Sequence, residues 1–305
     1  MRKFIPSFEF RRRAREAMLP VMSILVVVTL IAMMPSIVSS IVTTVADSNP
    51  SAALLDLYTE ESLTAMLSDD PAVADAAAGQ MTTKMSAFFA EKWPFRALTV
   101  LVTMLLGPVL TLGFNHTLLK CLRKEEITYL TVLARLPIFF KAIGLNLMIF
   151  LRIFLWMLPG WALSLLGAVI MVFEANIGML VMIAAMGVML AGMIRAMYRY
   201  RLASYVLADA PQTGINAAIR RSKEIMKGRK MELFSLEVSF VGWYLAVNLI
   251  QMFTLMLLGT VLGMALGMFA SFLLQMYVYM ATAAFYQEYG VGPLPQAAPE
   301  QEELL

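Results

Sequence analysis

Residues 238–287 read VSFVGWYLAVNLIQMFTLMLLGTVLGMALGMFASFLLQMYVYMATAAFYQ. None of these fifty positions, which lie between Glu237 and Glu288, carries a formal charge. A helix rises about 1.5 Å per residue and a bilayer's hydrocarbon core is about 30 Å thick, so ~20 apolar residues cross it once. Fifty suffice for two crossings. Gly259, Gly263, Gly267 and Ser271 recur at every fourth position around the middle of the stretch. This spacing predicts a turn at Gly259. Gly263, Gly267 and Ser271 then form a small-residue face where a second helix, of this chain or of another copy, approaches closely.

Other charge gaps have the same meaning. Glu16–Asp47, Arg96–Lys120 and Glu174–Arg195 each enclose one apolar run, and Lys141–Glu174 encloses another interrupted only by Arg152. Six spans follow, at 19–44, 97–119, 142–172, 177–199, 235–258 and 262–286. The chain has 305 residues, of which 60% are hydrophobic and 15% charged. Soluble domains have about 45–50% and 25%. Mean hydropathy is +0.75. The expected fold class is all-α, a polytopic transmembrane helix bundle. The first apolar run is about twice the length of a signal peptide's ~7–15-residue core, so it reads as an uncleaved anchor, although Thr44-Val45-Ala46 would be a tolerable cleavage triplet. Spans one and three are too long to stand straight and are expected to tilt or break at Pro35 and Pro159.

Charge orients the bundle. Residues 1–16 carry six bases and two acids, 120–141 five bases and two acids, and 195–232 nine bases and three acids, whereas 47–92 carry two bases and eight acids. With six spans the three basic segments share one side, which the positive-inside rule makes cytoplasmic. Both termini then lie inside. The organisation is a basic amphipathic arm (1–18), a first span (19–46), an acidic outer loop with an amphipathic helix (47–96), a five-span domain (97–287) and an acidic tail (288–305). The bases follow from topology, so nucleic-acid binding is not expected.

Three segments suit the membrane surface. In the arm, Phe4, Ile5 and Phe8 precede Arg11, Arg12 and Arg13, which serve either as contacts to anionic lipid or as a plain topology anchor. In the outer loop, Asp69-Asp70-Pro71 signals a helix start, and Met81, Met85, Phe88, Phe89 and Trp93 form one stripe. In the third, Thr213 caps a helix that ends at Gly228. Ile215, Ala218, Ile219, Ser222, Ile225 and Met226 share one side of it. Arg220, Arg221, Lys223 and Lys227 share the other, where they contact anionic lipid or snorkel from a docked elbow helix.

Catalytic chemistry is scarce. The chain has one Cys and one His, which leaves no disulfide framework and no zinc or haem site of the usual kind. No cofactor, metal site or enzymatic activity is expected. Methionines at 179, 182, 186, 189, 193 and 197, and at 264, 268, 276 and 280, form two series that read as packing rather than thioether metal sites. Three polar residues stand out within spans: Arg152, Glu237 and His116. Arg152, ten residues into span three, requires a partner, and Glu237 is the best candidate. His116 reads as a shuttle or as a histidine bonded to a neighbouring group.

Specific residues then carry a resemblance. Leu207-Ala208-Asp209-Ala210-Pro211, Met226-Lys227-Gly228, Ser239-Phe240 with Gly242-Trp243, and Ala284-Phe285-Tyr286 resemble an uncharacterised bacterial integral membrane protein family, the domain of unknown function 975. Gly107-Pro108, Leu112-Gly113, Arg123 and Glu125 are similar to its second-span motif. Family members tend to have Gly where this chain has Lys124. The resemblance implies a bacterial inner-membrane protein and brings no reaction or ligand with it. Two functions fit. One is a non-enzymatic membrane protein that associates with anionic inner-leaflet lipids, a partner membrane protein or a second copy, in an accessory role in the cell envelope. The alternative is a transporter or channel-like protein that uses Arg152 and Glu237.

Overall fold

A computed structural model describes residues 5–46, Thr64 and 70–292. Among these the chain is helical, with no strand. In chain order the helices are α1 (Ser7–Met18), α2 (Met22–Ala46), α3 (Pro71–Leu122), α4 (Phe139–Phe173), α5 (Ala175–Tyr200), α6 (Ala203–Asp209), α7 (Ile215–Ile225), α8 (Lys230–Val238) and α9 (Val241–Tyr286). Short 3₁₀ segments lie at Leu19–Val21 and Tyr129–Ile138, and a π turn at Gln287–Val291. Six stretches are long and apolar enough to cross a membrane: Ser7–Ser39, Ala97–Leu122, Tyr129–Phe173, Ala175–Asp209, Lys230–Gly259 and Ala265–Val291. Each overlaps one span expected from the charge gaps. The acidic tail beyond Gly292 lies outside the described residues.

The chain divides into two compact units, Met33–Gly107 and the combination of Met1–Ala32 with Pro108–Leu305. In the first, the Asp70 carboxylate accepts a hydrogen bond from the Ala72 amide at 2.9 Å, just where Pro71 opens α3. That carboxylate satisfies one of the amides a helix start leaves unpaired. The amphipathic loop helix and the second span are one 52-residue helix, so no helix end falls at the expected 96–97 boundary. Met81 is buried; the side chains of Met85, Phe88, Phe89 and Trp93 lie outside the described set.

The larger unit is built from two helical hairpins and the short helices packed around their ends. The first hairpin is α4–α5, turned at Glu174, whose backbone is extended. Its legs approach at glycines. A Cβ on Gly160 would meet Met189 and Ala185, one on Gly167 would meet Met182, and one on Gly192 would meet the Trp156 carbonyl at 2.5 Å. Small residues let backbones approach closely where lipid supplies no hydrophobic drive. Of the two outcomes expected at Pro159, a tilt or a break, the break does not occur: Pro159 lies inside an unbroken α4. Helices in membranes tolerate proline where neighbouring helices and local adjustment satisfy the freed backbone groups. Two methionines of the α5 series, Met182 and Met189, are packing partners of these glycines. In α9, Met276 and Met280 are fully buried while Met268 is exposed, and the Met264 side chain is outside the described set.

The second hairpin is α9 itself, which turns at Gly259 with φ 76°. Glycine adopts that conformation without the Cβ penalty of other residues. Its register is antiparallel about the turn. Gly263 lies against Leu255, Gly267 against Gln251, and Tyr244 reaches Gln275 at 3.4 Å. Gly263 and Gly267 are buried within the chain, whereas Ser271 is exposed.

Around the hairpin ends, α1 buries Phe10, Ala14 and Met18. Phe10 sits 5.4 Å from Phe285 and 5.9 Å from Tyr289 between ring centroids, and the Tyr277 hydroxyl donates to the Arg11 carbonyl at 3.0 Å. The apolar residues expected to face lipid do not share one environment: Ile5 is buried in the core, Phe8 is 58% exposed, and Phe4 lies outside the described residues. Helix α7 buries Ala218, Ile219, Ser222 and Ile225. Its N-cap is Gly214 with no side-chain cap bond, so Thr213 does not cap it, and it ends at Ile225 rather than Gly228. Gly228 occupies the following turn with φ 81°.

Helix α3 ends in a Schellman motif. The Glu125 amide donates to the Lys120 carbonyl at 3.0 Å and the Lys124 amide to the Cys121 carbonyl at 3.1 Å, so two last-turn carbonyls find partners. The motif forces Lys124 to φ 57°, where a Cβ crowds its carbonyl. Glycine, the residue expected there from the resemblance, has no such crowding. Lys124→Gly is expected to stabilise the protein by about 1 kcal/mol, read as a raised thermal midpoint in detergent. A lowered midpoint would mean that the Lys124 side chain contributes more than its backbone strain costs.

Candidate functional site

Two polar constellations form where the hairpin ends meet the short helices. The first is a hub that gathers residues scattered through the chain. Arg123, just past α3, donates to Asp209 Oδ1 at 2.7 Å and to Gln287 Oε1 at 2.9 Å. Tyr286 donates to Asp209 Oδ2 at 3.3 Å and stacks on Tyr205, 5.9 Å between centroids. The hydrogen bond to Asp209 holds the Arg123 guanidinium above its usual pKa, against the opposing effect of burial. Its second terminal nitrogen is buried with no protein acceptor among the described residues. Nearby, Arg135 donates to the Ala208 carbonyl at 2.9 Å and lies 3.0 Å from His116 Nδ1. Because arginine stays protonated, His116 accepts at Nδ1. Lys141 donates to the Pro211 carbonyl at 3.0 Å. Every cation here is bound to a carboxylate, carbonyl or imidazole, so the hub works as a clamp joining α3, α4, α6 and the end of α9.

The second constellation is basic. Arg152 of α4 and Lys223 of α7 both approach the buried ring of Tyr200, at 6.0 and 5.6 Å from its centroid. Arg199 lies 5.8 Å from the Trp156 ring. Arg152 donates to Asn216 Oδ1 at 2.9 Å, and Ser222 ties α7 to α5 by donating to the Arg199 carbonyl at 3.1 Å. Burial first, then the positive charges of Arg152 and Arg199, push the Lys223 ammonium below its usual pKa. Among the described residues, Arg152, Arg199 and Lys223 form no ion pair.

This placement gives Arg152 a partner other than the expected one. The sequence puts it near mid-bilayer, with Glu237 as partner. In the structure Glu237 accepts from Tyr198 and pairs with Arg201 at 3.5 Å, while Arg152 turns to Asn216. The reason is α7, which runs along the first turns of α4, where Gly144 meets Ile215. Measured from the Glu174 turn, Arg152 and Arg195 each lie roughly 32 Å along their helices, one hydrocarbon thickness.

Other expected lipid contacts are engaged within the chain. Arg12 pairs with Glu9 at 2.7 Å and Glu16 at 3.7 Å, and Arg13 with Glu288 at 2.7 Å. Arg11 donates to the Ser239 carbonyl at 3.4 Å. Arg221 pairs with Glu224 at 3.5 Å. Arg220 and Lys227 are exposed. Sequence reasoning missed Asn216 and the Arg135–His116 contact, because neither stands out without its spatial neighbours. Arg123, Asp209 and Tyr286 were visible only as parts of a motif.

The fold and its charged end define an all-helical, multi-pass membrane protein. The chain belongs to the family described as protein of unknown function DUF975, whose profile matches residues 9–289. No curated protein and no solved structure matches it.

Proposed function

We propose that this is a non-enzymatic, multi-pass protein of the bacterial cytoplasmic membrane, with both termini inside, that acts in an accessory role by associating with anionic inner-leaflet lipids. The observation that carries this reading is the cluster of Arg152, Arg199 and Lys223, which have no carboxylate partners among the described residues; Arg152 lies about one hydrocarbon thickness along α4 from the Glu174 turn. Asymmetric charge supports the orientation: the acidic segment 47–92 and the basic segments alternate across successive spans. The polar residues that would line a transport path do not gather. Arg152 bonds Asn216, Asn248 donates to the Tyr244 carbonyl of its own helix at 2.7 Å, and Gln251 packs on Gly267. Reporter fusions test the topology. A fusion within 47–92 should read as extracytoplasmic and one after Leu305 as cytoplasmic; the opposite pair of readings refutes the orientation. Flotation of the purified protein with phosphatidylcholine vesicles, with and without phosphatidylglycerol, tests the lipid preference.

A further inference from the structure

The geometry points to a specific binding site for the phosphate of an anionic phospholipid, formed by Arg152, Arg199, Lys223 and Asn216 around the Tyr200 ring. The inference deepens the lipid reading above and rests on it.

The donors are present and unused. Arg152 spends one N–H on Asn216 Oδ1, which fixes its fork and leaves its other donors open. The contact also turns the Asn216 amide nitrogen away from Arg152, available to donate. Lys223 contributes an ammonium held over Tyr200, and Arg199 a guanidinium held over Trp156. Rings that hold cations in place reduce the ordering cost of binding. Three like charges sharing one small surface repel each other, and no carboxylate among the described residues relieves them. A phosphodiester does so, and guanidinium forks match its oxygens.

Position selects a lipid over a soluble anion. Arg152 lies about one hydrocarbon thickness along α4 from the Glu174 turn, and the cluster sits beside a tyrosine and a tryptophan, the residues enriched at membrane interfaces. Phe154, Leu155 and Leu158, just beyond Arg152 along α4, present exposed apolar surface against which acyl chains can lie. The positive field extends to Lys230, on which Arg199 and Arg195 both act. A zwitterionic headgroup would bring its own ammonium into that field, so net-negative headgroups are preferred.

The test compares full-length wild type with Arg152→Gln/Lys223→Gln and with a control, Arg12→Gln/Arg221→Gln, that removes the same charge from carboxylate-paired positions. Each is bound to vesicles of phosphatidylcholine alone and of equimolar phosphatidylcholine and phosphatidylglycerol. Wild type should prefer the mixture, and the Arg152/Lys223 variant should lose affinity roughly fivefold per base removed, about 25-fold in all. The control should lose less than about threefold, because its bases already have partners. Equal losses in variant and control would overturn the site while leaving general lipid association standing. No preference in wild type would overturn both. Inorganic phosphate at millimolar concentration should not displace the vesicles, and displacement would assign the site to a soluble anion instead. If the variant does not fold, acetylation of wild-type Lys223 decides. Phosphatidylglycerol should slow it relative to exposed Lys227, and equal rates would overturn the proposal.

Discussion

Asp209→Ala is expected to destabilise the protein by about 2–4 kcal/mol, one of the two largest losses from a single side chain in the molecule. The carboxylate is the ionic partner of Arg123 and the acceptor for Tyr286. Removing it leaves a partly buried guanidinium with Gln287 alone, when one of its nitrogens already has no protein acceptor. Breaking a fully buried pair costs about 3–5 kcal/mol. Here the side chains are 26% and 19% exposed, so water recovers part of that and the lower range applies. Asp209→Asn keeps an acceptor without the charge and should cost about half as much. The double variant Arg123→Met/Asp209→Leu should be less damaging than Asp209→Ala, because it removes the stranded charge along with its partner. Thermal unfolding in a zwitterionic detergent checks the series. An Asp209→Ala protein that melts with the wild type would mean the hub does not hold α6 to the end of α3.

Gly113→Leu is expected to cost at least about 3 kcal/mol and to prevent normal assembly, because it overpacks a contact with no spare volume. Helix α3 passes the 3₁₀ segment Tyr129–Ile138 so closely that a Cβ on Gly113 would overlap the Val132 carbonyl. Val132 is itself only 1% exposed, and the atom in the way is backbone, which no rotamer change can move. Even Gly113→Ala should lower the thermal midpoint. Gly79, in the same helix, has nothing within 4 Å of its would-be Cβ. There Gly→Ala should instead stabilise by up to about 1 kcal/mol through helix propensity. Opposite signs for one substitution at two positions of one helix separate close packing from propensity; equal signs would refute the contact at Val132.

Hydropathy and charge order are properties of the chain read in one dimension, so the six spans, the all-helical class and the Gly259 turn were legible before any coordinates. Periodicity also exposed the buried side of α7, because side chains three and four apart share a helix face whatever that helix packs against. Capping was less legible. Asp70 and Pro71 start α3 as their types suggest, yet Thr213 leaves the cap of α7 to Gly214. Side chains near a helix start compete for the same few amides, and local geometry chooses among them.

Partnership was not legible. Glu237 was the natural counter-charge for Arg152 on the assumption that α4 crosses the membrane from near Lys141. Docking of α7 along the first turns of α4 gives Arg152 Asn216 instead. Glu237 goes to Tyr198 and Arg201. The strength of a polar contact falls off over a few ångströms, whereas sequence fixes separations only along a helix. Which cation meets a carboxylate therefore depended on how the helices pack. Among the described residues, Arg12 and Arg13 of α1 met carboxylates, and Arg152, Arg199 and Lys223 around Tyr200 did not.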